Sequence, residues 1–163
     1  MATEVELLEK IVKLERNLLW FDLYRFVGLM INAGYGWIDI GSYVLTVPAN
    51  GEIGFDSANP AGYVWVPIKE QVWVETKRVL ALKVVRDNKI FINMPAITDF
   101  EYQWEISPYT GVIREIASIT VTNSDVADRW FIGGYLGAFI KVDQYEAFQN
   151  MLKLASIEFG LGA

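Results

Sequence analysis

From Tyr43 to Val142 the chain alternates short apolar runs with turn-forming clusters, roughly one cluster every ten residues. The runs follow a period of two, which places successive side chains on opposite faces of a β-strand. Many short strands with no helices between them pair antiparallel. The sequence therefore predicts a mainly β fold, an antiparallel β-sandwich or jelly roll. Its strands are expected at Tyr43–Val47, Tyr63–Ile68, Val72–Thr76, Val79–Val85, Ile90–Ile92, Phe100–Ile106, Val112–Thr122 and Trp130–Val142.

The alternation also sorts side chains by face. It predicts one buried face for Phe100, Tyr102 and Trp104, and another for Ala117, Ile119 and Val121. Asp99, Glu101 and Glu105 then form an acidic face, which is typical either of a glycosidase acid pair or of a solvated strand surface. Carboxylates two residues apart point the same way at a spacing of about 7 Å and do not flank a bond. This favours the solvated surface.

Helices are expected at both ends of the β region. Thr3 and Glu6 fit a capping box, and the helix that they begin ends at the glycines of Asn32–Trp37. One ridge of this helix follows steps of four and three residues and is formed by Leu7, Ile11, Leu14, Leu18 and Phe21. Such a ridge packs either on its own domain or on other copies, and we expect it to be an interface. Asp143 is expected to begin a short C-terminal helix.

These patterns divide the chain into an amphipathic helical arm over 1–33, a β-sandwich over 34–142, and a C-terminal helix and tail over 143–163. The longest apolar stretch, Phe26–Ile38, is shorter than the ~20 residues that a spanning helix needs. The acidic N-terminus lacks the basic region of a secretory signal peptide. We therefore expect neither a transmembrane span nor a signal peptide.

Composition excludes several classes of chemistry. The chain has no cysteine and no histidine, which removes thiolate nucleophiles, histidine acid–base catalysis and the usual zinc sites. Its net charge of −6 disfavours nucleic-acid binding. No nucleophile elbow or phosphate-binding loop occurs, and Gly133 and Gly134 indicate a bulge or a close backbone approach instead. We expect no enzymatic activity and no cofactor.

One loop combines oxygen-bearing side chains that calcium accepts. Asn123, Asp125 and Asp128 lie close together, but their spacing differs from that of an EF-hand and also suits a hairpin turn. The turn is the preferred interpretation, and calcium remains open. A second open question is the high aromatic content: six Trp, eight Tyr and nine Phe are typical of protein–protein interfaces and also of carbohydrate-binding surfaces.

Three further segments resemble those of a known class of proteins. Gly51–Val66 reads as a strand and the opening of the next strand, Ile119–Ser124 as a closing strand, and Phe131–Leu136 as an aromatic–glycine strand. Over roughly residues 43–142 this arrangement resembles small β-sandwich and single-jelly-roll structural proteins of bacterial and archaeal viruses, among them capsid and decoration proteins. The resemblance implies a structural protein of the virion, assembled in the host cytoplasm, and carries no active-site residues.

These observations favour a non-enzymatic structural protein that self-assembles or docks on a larger particle, most plausibly as a viral capsid, decoration or tail component. Its partners would be other copies of itself or other virion structural proteins. The alternative is a carbohydrate- or receptor-binding module whose aromatic side chains stack on sugars.

Overall fold

The computed structural model describes residues 25–105 and 112–158, and the side chains of 25–103 and 112–150. A helix, α1, covers 25–32. The elements that follow are β1 Gly36–Val47, β2 Glu52–Ala58, β3 Tyr63–Val74, β4 Leu80–Arg86, β5 Lys89–Met94, β6 Glu101–Glu105, β7 Ile116–Asn123, β8 Arg129–Lys141 and the helix α2 Val142–Glu158. The seam residues Leu7, Ile11, Leu14, Leu18 and Phe21 lie outside the described residues.

The strands form two antiparallel four-stranded sheets. Sheet I has the order β1-β8-β3-β6, and sheet II has the order β2-β7-β4-β5. The chain crosses from one sheet to the other at the turn of Pro48–Gly51, where the Gly51 N–H donates to the Pro48 carbonyl at 3.1 Å. Edge strands β1 and β2 therefore lie on the same side of the molecule. The predicted mainly β antiparallel sandwich with a helix at each end is confirmed.

Three strands differ most from the sequence-based boundaries. β1 begins at Gly36 rather than Tyr43, because Gly36 pairs closely with β8; a Cβ there would lie 2.1 Å from the Phe139 carbonyl oxygen. β2 lies where only the resemblance implied a strand, since Ile53 and Phe55 are too few to establish a period. β3 joins two predicted runs across a bulge between Pro67 and Lys69. A proline tolerates such a position because it has no N–H to pair.

The main apolar core lies between the sheets. Phe131 of β8 and Leu80, Leu82 and Val121 of sheet II are almost completely buried. Val121 shares its face of β7 with Ile119, which packs against this core, and with Ala117, so the predicted common face is confirmed. The prediction for Phe100 was wrong. It precedes β6, is 55% exposed, and lies under the Lys77 ammonium group at 4.5 Å.

A second apolar cluster lies on the outer face of sheet I, where the two helices pack. Val27 of α1 and Tyr145 of α2 are buried there. The rings of Phe26 and Phe148 stack at 4.1 Å and join the two helices. The strand residues under the helices are Val64, Val66, Ala138 and Ile140. Among the described helices, none combines the length and the apolar character needed to cross a membrane.

Candidate functional site

The space between the sheets has two chemically different halves. The aliphatic half is the main core around Phe131 and Leu82. The polar half lies at the other end of the same two sheets and contains Asp39, Trp65, Glu70, Arg86 and Tyr135. These side chains line a cavity of about 270 Å³. Such a cavity is unusual because protein interiors are close-packed and contain few voids larger than a water molecule.

A buried ion pair connects the sheets in the polar half. Arg86 of sheet II reaches across to the Glu70 carboxylate of sheet I, and the two side chains are only 6% and 16% exposed. Burial lowers the pKa of Arg86, while Glu70 opposes that shift and helps to keep the guanidinium charged. The guanidinium also lies 3.9 Å from the Phe91 ring centroid and 5.9 Å from that of Trp65.

Aromatic side chains form much of the cavity wall. The Trp65 indole N–H donates to an Asp39 carboxylate oxygen at 3.0 Å, which holds the ring across the cavity. The rings of Trp65 and Tyr135 are 6.1 Å apart in an edge-to-face arrangement. Phe55 and Phe139 complete this aromatic lining.

Two tyrosine hydroxyls in the polar half remain neutral. Burial raises the pKa of Tyr43, and the nearby Glu70 carboxylate raises it further. Burial, followed by the charge of Asp39, also raises the pKa of Tyr135. A neutral phenol both donates and accepts hydrogen bonds, so these groups can contact either kind of ligand atom.

Glycines in β1 and β8 make room for the rings. Tyr43 lies over Gly133, where an added Cβ would come within 2.1 Å of the ring, and Trp65 lies over Gly137 in the same way at 2.5 Å. The close backbone approach expected at Gly133 is confirmed. At Gly134 an added Cβ would lie 3.2 Å from the Gln71 side chain, a milder contact.

The outward face of β1 and β8 is a separate candidate site. Ile38, Ile40 and Val44 of β1 are 57%, 72% and 66% exposed, and Trp130 of β8 is 38% exposed. In the register, Ile40 pairs with Leu136 and Val44 pairs with Ile132, so apolar side chains adjoin across both strands. We call Ile38, Ile40, Val44, Trp130, Ile132 and Leu136 the outer apolar face. It continues the surface that α1 and α2 cover at one end of sheet I.

The carboxylates singled out from the sequence do not form a paired site among the described residues. Asp99 and Glu101 are exposed, and the side chain of Glu105 lies outside the described part. The three residues of the candidate calcium loop have structural contacts. The Asn123 amide donates to the carbonyls of Val47, Pro48 and Ala127.

The two aspartates of that loop are also engaged. A hydrogen bond from Arg129 at 2.7 Å lowers the pKa of Asp125, and Asp128 accepts the backbone N–H of Ala49 at 2.9 Å. The described residues contain no cluster of acidic side chains arranged to hold a metal ion.

The polar half was not identified from the sequence, although the sequence contains a signal for it. Glu70 is in phase with Val72 and Val74, and Arg86 is in phase with Leu82 and Val84. A charge at an inward position of a strand implies a buried partner. The period of two therefore indicated that each charge needed a partner but not that the two would meet.

The fold is a two-sheet β-sandwich with helices on one outer face. No protein-family model matches the sequence, and no curated protein matches it. Among solved structures, the chain is similar to a pilin of Bacillus endospore appendages at 8% identity, covering 65% of this chain and 88% of that chain, with a TM-score of 0.40. PirA overlaps at 15% identity over 58% of this chain and 92% of that chain, with a TM-score of 0.40.

A virus structure also overlaps with this chain. The infectious bursal disease virus structure is 13% identical over 66% of this chain and 33% of that chain, with a TM-score of 0.33. Overlaps of this extent carry no information about the activity of this protein.

Proposed function

We propose that the protein is a non-enzymatic structural protein that assembles with copies of itself, as a capsid, decoration or tail component of a virion made in the host cytoplasm. The observation that carries the assembly is the outer apolar face. The outward positions of β1 and β8 have no charged side chain, and Ile38, Ile40 and Val44 of β1 are open to solvent. Large contiguous apolar patches on soluble proteins mark interaction sites.

A second copy of the chain is the occupant that this face fits best. β1 is the edge strand of sheet I and spans twelve residues, so its backbone offers N–H and C=O groups that no strand of the described residues pairs with, beside the apolar side chains. Edge strands of soluble proteins commonly carry outward charges that prevent such pairing. An antiparallel pair of two β1 strands would be self-complementary, as a two-fold interface requires.

The placement in a virion is supported by the resemblance of residues 43–142 to viral structural proteins. The helical seam of Leu7, Ile11, Leu14, Leu18 and Phe21 stays a second predicted interface. Its stability must come from packing, because in proteins most of the stability of a helix comes from the packing of its amphipathic face. Two interfaces on one subunit would allow assembly beyond a dimer.

The test compares two double variants with the same chemical change. Ile40→Lys with Val44→Lys places charges on the outer apolar face, and Ile90→Lys with Val126→Lys places them at equally exposed apolar sites elsewhere. We expect the wild type and the second variant to form an oligomer in size-exclusion chromatography with light scattering. The first variant should lose the contact between β1 strands and have a smaller mass than the wild type, while its circular dichroism stays that of a β-sandwich.

Two results would contradict this proposal. A monomeric wild type would remove assembly altogether. An oligomer that survives Ile40→Lys with Val44→Lys but dissociates with Ile11→Asp and Leu14→Asp would place the interface on the helical seam instead of β1. Purified virions provide the test of location, since the protein should copurify with the particle at a fixed stoichiometry.

A further inference from the structure

The polar half of the interior combines a cavity with chemistry that costs stability. A buried ion pair stabilises a fold less than well-packed apolar side chains of the same volume would, because both charges lose their hydration. The cavity beside it removes packing contacts as well. The neighbouring aliphatic half shows that these same two sheets can be joined by Val, Leu and Phe. The polar half therefore has the properties of a binding site more than those of a core.

The wall of the cavity presents ring faces on more than one side. Trp65 and Tyr135 stand nearly perpendicular, at 77°, and Tyr43 and Phe55 form a similar edge-to-face pair at 4.9 Å. Flat rings give large contact area to the C–H faces of a compact ligand at little entropic cost. Such walls favour a ligand with apolar faces, and its polar groups must lie at its periphery.

Polar groups are placed between these rings. Asp39 accepts the Trp65 indole N–H, and a carboxylate has further lone pairs with which to accept a hydroxyl. Glu70 and Arg86 add an acceptor and a donor at the opposite side, and Tyr43 and Tyr135 contribute neutral hydroxyls. A hydroxyl group both donates and accepts, so it suits a wall on which donors and acceptors are mixed.

The charges and the volume of the cavity disfavour several classes of ligand. The cavity holds two carboxylates against one guanidinium, which disfavours an anion. The Arg86 guanidinium already lies over the Trp65 ring, which disfavours a second cation there. A volume of about 270 Å³ is at the small end of ligand pockets, roughly 300–1,000 Å³. We propose that this cavity binds one ring of a neutral carbohydrate.

The ring has a route into the cavity. Ser57 of β2 lines it and is itself exposed, so the cavity reaches solvent beside the edge strand β2. A sugar at the end of a longer chain could enter there while the rest of the chain stays outside. This site is distinct from the outer apolar face, because it lies on the inward side of β1.

The probes are glucose, galactose, mannose and N-acetylglucosamine at millimolar concentration, together with glucuronic acid and glucosamine as charged counterparts. Binding is followed by saturation-transfer NMR and by the indole N–H resonance of Trp65, which the Trp65→Phe variant identifies. We expect at least one neutral sugar to bind and to shift this resonance. The charged counterparts should bind more weakly.

Two variants and a matched control locate the site. Asp39→Asn keeps the shape of the side chain but removes its charge, and should weaken binding about tenfold or more, the range of a charge-assisted hydrogen bond. Ser57→Leu fills the entrance and should abolish binding without lowering the melting temperature. Asp56→Asn is the matched control: it makes the same aspartate-to-asparagine change at an exposed residue outside the cavity and should leave binding unchanged.

The outcomes are decisive in each direction. Failure of all neutral sugars to bind, tighter binding of a charged counterpart, or binding that Asp39→Asn and Ser57→Leu leave unchanged would each overturn the proposal. The same titration on the Ile40→Lys, Val44→Lys variant separates sugar binding from assembly, because only the outer apolar face changes in that variant.

Discussion

The two halves of the sandwich interior are built on the same strands but filled differently. β8 contributes Phe131 to the aliphatic half, where it is completely buried, and Tyr135 to the polar half, where it lines a cavity. β4 likewise contributes Leu82 to one half and Arg86 to the other. The comparison shows that one pair of sheets can hold an apolar core at one end and a polar cavity at the other. This is possible because each strand carries apolar inward side chains over one part of its length and polar ones over the other.

The largest expected effect is in the aliphatic half. Phe131→Ala should lower the free energy of unfolding by about 4 kcal/mol, because it removes a ring that is packed on all sides. Tyr135→Ala, the matched truncation on the same strand, should cost about 2 kcal/mol, because that ring already borders a cavity. Urea unfolding measures both. Equal losses would show that the polar half is packed as tightly as the aliphatic half.

The next effect concerns the ion pair of the polar half. Arg86→Met should cost about 3 kcal/mol, because Glu70 then stays buried without its main counter-charge. Adding Glu70→Leu should restore stability to within about 1 kcal/mol of the wild type, because both charges are then removed together. Thermal and urea unfolding of the single and double variants provide the measurement. If Arg86→Met left the free energy of unfolding unchanged, solvent would have to reach Glu70 freely.

The smallest effect lies at the end of the polar half, in the turn after Arg86. Burial alone would raise the pKa of Asp87, but backbone N–H groups of Arg114, Glu115 and Ile116 donate to its carboxylate and lower the pKa below its ordinary 3.8. Asp87→Asn leaves one acceptor oxygen instead of two. It should cost about 1 kcal/mol at neutral pH, since the site is largely solvated.

The sign of the pH dependence follows from the lowered pKa. The stabilisation by Asp87 is present above the ordinary carboxyl pKa and is lost as the pH falls through the lower folded-state value. The difference between wild type and Asp87→Asn should therefore shrink between pH 4 and more acidic conditions, roughly at and below the usual aspartate range. Asp99→Asn, at an exposed position, is the control. A difference that grew on acidification would contradict the assignment.

Particular elements show where sequence reasoning succeeded. The face shared by Ala117, Ile119 and Val121 followed from alternation alone, because β7 is paired on both sides over these residues and keeps a period of two. The same reasoning was wrong for Phe100, because this residue lies just before β6, beyond the last residue pair of the β3–β6 register. The early start of β1 was missed because the glycines at 34 and 36 read as a break. Gly36 instead pairs with Ile140 and permits a close approach to the Phe139 carbonyl.

The sequence by itself determined the fold class, because period-two alternation and regular turn signals act between residues that are close along the chain. The same alternation places Glu70 and Arg86 on inward positions once the bounds of β3 and β4 are known. Only the tertiary structure decided that they meet, since Arg86 reaches Glu70 from the opposite sheet, sixteen residues away. The cavity and the outer apolar face were also decided only by the tertiary structure. Both depend on which strands become neighbours, and strand order is set by packing between residues far apart in the chain, where no local pattern operates.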